Sequence, residues 1–174
     1  MARPFPNHPL LQGIWEPWPM EGDLRDLPVV GEVPQALRGT FYRNGPNPQF
    51  APRAAYHLFD GDGMIHAIYL DGGKARYRNR WILSKGLMYE RKVGHAVWGG
   101  MRDVFPPDEQ AMAEVGRAKN VANIHVVEHA GRLLALWEAG KPTEIDITQR
   151  KHRVKAVFAV FSLFNLLIFC FGHV

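Results

Sequence analysis

Hydrophobic and polar positions alternate most clearly between Tyr56 and Leu83, YHLFDGDGMIHAIYLDGGKARYRNRWIL. Two glycine-bearing segments, Asp60 to Gly63 and Asp71 to Gly73, divide this stretch into three runs, which predicts three short strands folded on two turns. Tight hairpin turns need positive φ, and Gly reaches that at least cost, with Asn and Asp next. In the third run Arg76, Arg78 and Arg80 share one face, while Ala75, Tyr77, Asn79 and Trp81 share the other. The arginine face is therefore expected to be solvated and the other packed. IHVVEH, LLALWE and TEIDI, separated at Ala130-Gly131 and at Ala139 to Pro142, repeat the strand–turn pattern. Thr40 to Arg43 adds one more strand-like run, stopped by Asn44-Gly45-Pro46-Asn47-Pro48, which can propagate neither helix nor sheet.

The intervening segments lack that period. Glycines and Pro106-Pro107 predict loops from Ser84 to Lys119, with one brief helix over residues 108–117 that has acids in its first turn. Residues 1–34 are rich in Pro and Trp and read as an extended arm, with Trp15 and Trp18 as expected anchors. Short strands at close spacing with little helix define an all-β fold of antiparallel meanders: a sandwich, barrel or propeller. The expected division is an arm over 1–34, a β body over 35–149 and a tail over 150–174.

The tail has its own pattern. Arg150, Lys151, His152, Arg153 and Lys155 form a basic cluster, and Ala156 to Phe171 then carries only Ser162 and Asn165 as polar residues. A spanning helix needs about 20 apolar residues, so this run falls just short, although Gly172 to Val174 can extend it. A basic flank would place residue 150 on the cytoplasmic side. The expected location is cytoplasmic, with membrane association through 156–171 as the alternative.

Composition narrows the picture modestly. A chain of 174 residues can bury one real core, and 17 Gly with 13 Pro suit a turn-rich β protein. The net charge of +4, with acids and bases interspersed, gives no reason to propose a nucleic acid partner. The one cysteine, Cys170, excludes an internal disulfide and a cysteine-based zinc site. The first residues carry no apolar core of a secretory signal.

Histidines are the candidate metal ligands. His125 and His129 share a strand face four residues apart, which separates them by about 13 Å at the usual rise, too far to ligate one ion. These two, with His57 and His66 beside the Asp60 to Gly63 turn, are expected to be structural or surface residues. Asp60 and Asp62 lack the further oxygens of a Ca²⁺ loop and are expected to serve the turn. The residues alone assign no catalytic group and no metal ligand.

Four blocks carry a resemblance: LRGTFYRNGPNP (37–48), YHLFDGDGMIHAIYL (56–70), YRNRWI (77–82) and NVANIHVVEHAGRLLALWEAGKPTEID (120–146). Together, over residues 28–147, they resemble the amino-terminal part of the carotenoid cleavage oxygenases, a family that includes the lignostilbene dioxygenases and proteins like the retinal pigment epithelial membrane protein. The resemblance implies a seven-bladed β-propeller with a non-haem Fe(II) held by four His side chains, three of them oriented by carboxylates. It implies cleavage of a conjugated C=C bond of a carotenoid, apocarotenoid or stilbene by O₂ into two carbonyl products. Glu138 aligns with a family carboxylate that accepts a hydrogen bond from an iron-bound imidazole. The resemblance stops near Gln149, before the His-Pro block that bears the first ligand, so none of the four ligand positions is matched. The expectation is therefore the first blade or two of a propeller, cut short by a frameshift, premature stop or alternative reading. Such a chain would hold no iron and be inactive alone. The alternatives are a small non-catalytic β module anchored to a membrane by 156–171, and a fragment without a stable fold.

Overall fold

The computed structural model describes residues 5–146 and the backbone of Lys155–Ala156, which pairs with Glu144 and Thr143. The basic cluster and the apolar run to Phe171 otherwise lie outside the described residues. Among the described residues eight strands form two antiparallel sheets. The first contains β1 (Gly22–Leu24), β2 (Gly39–Pro46), β3 (Gly63–Asp71) and β4 (Lys74–Trp81), in the order β1-β4-β3-β2. The second contains β5 (His125–His129), β6 (Arg132–Leu136), β7 (Thr143–Ile145) and β8 (Lys155–Ala156), in sequence order.

Local turn chemistry sets both central hairpins. β3 and β4 close at the Asp71–Lys74 pair through Gly72 and Gly73, with φ of 55° and 81°. β5 and β6 close at His129–Arg132 through Ala130 and Gly131, with φ of 50° and 74°. Positive φ at both central residues is the type I′ geometry whose twist matches that of the strands.

The first predicted turn is not a hairpin. His57 accepts a hydrogen bond on its ring from Phe59 N–H, and Asp60 accepts one from His57 N–H, which caps a 3₁₀ turn over Leu58–Asp60. YHLF is therefore not a strand. β3 pairs instead with β2, from Gly39 opposite Leu70 to Pro46 opposite Gly63.

Helix α1 (Lys85–Val93) occupies a segment whose glycines predicted loop. Its end signals are complete: Ser84 caps Leu87 N–H, Arg91 and Lys92 lie in the last turn, and Gly94 closes it at φ 82°. Helix α2 (Glu109–Glu114), capped by Asp108, falls inside the predicted 108–117. Among the described residues no helix is long and apolar enough to cross a membrane.

The arm is held by polar groups rather than by its tryptophans. Trp15 and Trp18 are 46% and 52% exposed, and Leu11 is the side chain that the arm buries. Asn47 brackets the backbone of Trp18, accepting from its N–H at 2.7 Å and donating to its carbonyl at 2.9 Å. Asp23 on β1 accepts from Arg76 at 2.7 Å and Arg78 at 2.8 Å. The arginine face is thus only partly solvated: Arg78 sits opposite the buried Ala67, and its side chain is 12% exposed.

Between the two sheets lies an apolar seam of Ile65, Ile82, Ala122, Leu133, Ala135 and Ile145. Side-chain amides stitch it. Asn44 donates to Ala122 O at 2.7 Å, and Asn123 donates to Phe59 O at 2.8 Å and Gly61 O at 2.7 Å. Gly63 N–H reaches Val121 O at 2.8 Å, and a Cβ on Gly63 would stand 2.3 Å from Ala122 O. Only glycine permits that approach. A second cluster, Met64, Trp81 and Leu87, packs α1 on the first sheet, and a third, Tyr89, Val97, Trp98 and Ala111, joins α1 to α2.

Candidate functional site

Side chains drawn from residues 48–62, 96–105, 117–121 and 137–139, together with Glu90, line a cavity of about 570 Å³. Phe50, Phe59, Trp98, Phe105 and Trp137 give it an aromatic wall. The wall is braced locally. Tyr89 meets Trp98 edge-on at 5.8 Å, and the Arg53 guanidinium lies 4.4 Å above Phe105 while donating to Val97 O at 2.7 Å. Asp60 accepts from Met101 N–H at 2.9 Å on one oxygen and from His57 N–H at 2.9 Å on the other, which ties the rim of the cavity to the 3₁₀ turn. A larger cavity of about 800 Å³ shares Phe50, Arg53 and Ala96 with it. That space lacks both Glu138 and the buried charges described next, so the smaller cavity is the chemical candidate.

One corner of the aromatic cavity is ionic. Lys119 Nζ lies 2.5 Å from Asp62 Oδ1 and 2.5 Å from Glu90 Oε2, and the three side chains are 10%, 5% and 2% exposed. Asp62 Oδ1 takes no conventional hydrogen bond, so its contact with Nζ is an ion pair. Glu90 Oε1 accepts from Val97 N–H at 2.8 Å. Burial pushes the Glu90 carboxyl above its ordinary pKa, against the pull of Lys119. Burial alone would lower Lys119, but Asp62 and Glu90 outweigh it and hold the ammonium above its usual value. The cluster fastens three segments to one another: the 47–62 connection, α1 and the approach to β5.

Glu138 lines the same cavity, beyond the end of β6 rather than on the strand. It is exposed, and among the described residues it has neither an ion-pair nor a hydrogen-bond partner. Its turn is nonetheless fixed, because Asn120 Nδ2 donates to Lys141 O at 2.8 Å and Gly140 packs between Trp137 and Asn120. Glu138 is placed where an approaching donor could meet a free carboxylate.

The predicted histidines do not converge. His57 caps the 3₁₀ turn, His66 bonds the Tyr77 hydroxyl at 2.6 Å, and His125 and His129 sit exposed at opposite ends of β5. Burial, with Arg43 nearby, lowers the pKa of His66. Among the described residues no three His, Cys, Asp or Glu side chains come together as a metal site. Asp60 does serve a turn, whereas Asp62 has the further role of pairing Lys119. Sequence reasoning missed Glu90 and Lys119. The available signal was a carboxylate three residues after the buried Leu87 on a well-capped helix.

These features define the class first: an antiparallel, mostly β protein whose two sheets and helical segment enclose an aromatic cavity with a carboxylate at its rim. Comparison with known proteins gives the family. The retinal pigment epithelial membrane protein family matches residues 15–154, and the chain belongs to it; these are the carotenoid cleavage oxygenases. Over 146 residues the chain is 37% identical to isoeugenol monooxygenase of Pseudomonas nitroreducens, covering 84% of this chain and 30% of that protein. It is 36% identical over 155 residues to carotenoid 9,10(9′,10′)-cleavage dioxygenase 1 of Phaseolus vulgaris, covering 82% and 28%. The crystal structure of Pseudomonas brassicacearum lignostilbene dioxygenase superposes with a TM-score of 0.79 at 31% identity, over 88% of this chain and 32% of that one. The chain thus spans about 30% of the length of the curated relatives it matches.

Proposed function

We propose that this chain supplies the substrate-cavity wall and one metal-orienting carboxylate of an oxygenase that cleaves a conjugated C=C bond, within a seven-bladed β-propeller. The observation that carries the reading is the 570 Å³ aromatic cavity with Glu138 at its rim, unpartnered among the described residues. Flat conjugated molecules fit such walls, because ring faces and edges stack favourably on extended π systems. The relatives bear the names of enzymes for isoeugenol, carotenoids, resveratrol and lignostilbene, which supports a conjugated, apolar substrate.

The family's iron is a separate matter. The described residues bring no three donors together, so they do not fit an Fe(II) site by themselves. Glu138 fits the lesser role of holding the ring N–H of a histidine ligand supplied from outside these residues, which would fix its tautomer and direction. Accordingly the chain binds substrate and performs no cleavage alone. The test is metal analysis and an aldehyde assay on purified full chain incubated with Fe(II), O₂ and either isoeugenol or resveratrol. The expected outcome is iron well below one per chain, no aldehyde, and saturable binding of the unreacted ligand in the absence of O₂. Stoichiometric iron or aldehyde formation would overturn the inactivity, and absence of ligand binding would overturn the cavity reading.

A further inference from the structure

Three charged side chains in the wall of an aromatic cavity are unusual, because each ion gives up hydration and a packed apolar set is often as stable. Their hydrogen-bonding capacity can be followed atom by atom. Glu90 Oε1 is taken by Val97 N–H at 2.8 Å and Oε2 by Lys119 at 2.5 Å. Asp62 Oδ2 is taken by Gln49 N–H at 3.1 Å, and Oδ1 faces Nζ at 2.5 Å. Three of the four carboxylate oxygens therefore take a hydrogen bond, and Asp62 Oδ1 meets Nζ as an ion pair. An ammonium carries three N–H donors, and at most two are directed at these carboxylates. Among the described residues Lys119 has no further partner. What remains is one donor, nine-tenths buried, in the lining of the cavity.

We propose that the unspent N–H of Lys119 recognises a neutral oxygen acceptor, an ether or carbonyl oxygen at the end of an apolar aromatic ligand lying in this cavity. The inference rests on the cavity being the ligand site proposed above. The corner offers one N–H of Lys119 to the cavity, and an oxygen lone pair is what that donor satisfies. Two carboxylates against one ammonium leave the corner net negative, which does not favour a carboxylate ligand. Aromatic acids are accordingly disfavoured, and ring ethers, aldehydes and ketones are preferred.

A matched ligand pair isolates the oxygen. trans-4-Methoxystilbene and trans-4-ethylstilbene differ by one oxygen in place of a methylene, and equilibrium dialysis against the full chain gives both affinities. The methoxy ligand is expected to bind about tenfold tighter, the size of one hydrogen bond from a charged donor. Lys119→Met is expected to abolish the preference while ethylstilbene still binds. Glu90→Gln removes the charge of one carboxylate while leaving Lys119 and its pairing with Asp62 in place; it is expected to keep the methoxy preference and raise the affinity for stilbene-4-carboxylate several-fold. That second variant decides the matter if Lys119→Met does not fold. Equal binding of the two neutral ligands by the unaltered chain, a preference that survives Lys119→Met, or no gain for the carboxylate in Glu90→Gln would each overturn the assignment to Lys119. In those cases the cavity reading stands. Failure of both neutral ligands to bind overturns the cavity reading with it.

Discussion

Asp23 shows how much a single side chain can secure in this molecule. Hydrogen bonds from Arg76, and with a smaller effect from Arg78, hold its carboxyl well below the usual carboxylate range, against the opposing effect of burial. A depressed folded-state pKa stabilises the fold above the unfolded value of about 3.9, and that contribution fades as pH falls toward the folded value. Asp23→Asn is expected to lower stability at pH 7 by about 1 kcal/mol, the scale of a well-aligned pair near the surface. The deficit should shrink as the pH falls below about 4. Melting curves from pH 7 downward check this, and a deficit that is constant with pH would refute the ion-pair account. Glu138, by contrast, has no partner to lose among the described residues. The sequence singled out Glu138 only through family resemblance, and its place at the cavity rim comes from the fold. Glu90 and Lys119 stand 29 positions apart, and no local pattern reports that a fold will bring such residues together.

At the scale of elements, the strands that close on Gly72-Gly73 and Ala130-Gly131 were readable because turn and strands are contiguous and the positive φ has a residue signature. Asp60 to Gly63 carries the same signature, but His57 and Asp60 spend their side chains on a 3₁₀ turn instead. β2 pairs with β3 across residues 47–62, a partnership that alternation alone cannot reveal. Helix α1 was missed because Gly86 lowers helix propensity. In the structure Gly86 makes room for the stem of Lys119, whose Cγ would lie 2.6 Å from an added Cβ. Gly63 plays the matching role between the sheets. Gly63→Ala is expected to destabilise the protein by about 1–3 kcal/mol or more, because the nearest atom is a backbone carbonyl that cannot swing away. Denaturant unfolding measures the effect; a loss below about 0.5 kcal/mol, the ordinary surface value, would show that the two sheets part without cost.

Across the whole molecule, apolar surface is distributed unevenly between the two faces of the first sheet. Registered pairs align Leu24, Tyr77, Ile68 and Phe41 in one row across all four strands. Leu24 is 55%, Ile68 36% and Phe41 61% exposed, on the face whose other end is covered by α1. A contiguous strip of this kind favours association. The double substitution Phe41→Thr and Ile68→Thr is expected to reduce concentration-dependent light scattering while leaving the melting temperature nearly unchanged, since both side chains are already in contact with water. Scattering that stays the same would exclude this row as the adhesive surface.

The seam between the sheets also bears on time. Asn44, Gly63 and Asn123 form their bonds with partners 58 to 81 positions away in the chain: Gly63 to Val121, Asn123 to Gly61 and Phe59, Asn44 to Ala122 and His125. The two hairpins need only short loops to close and can form in microseconds, whereas the seam must wait for a long loop to find its ends. The aromatic cavity draws its walls from both sides of that seam. It is therefore the last part of the molecule to come into being, and the first to vanish when the sheets separate.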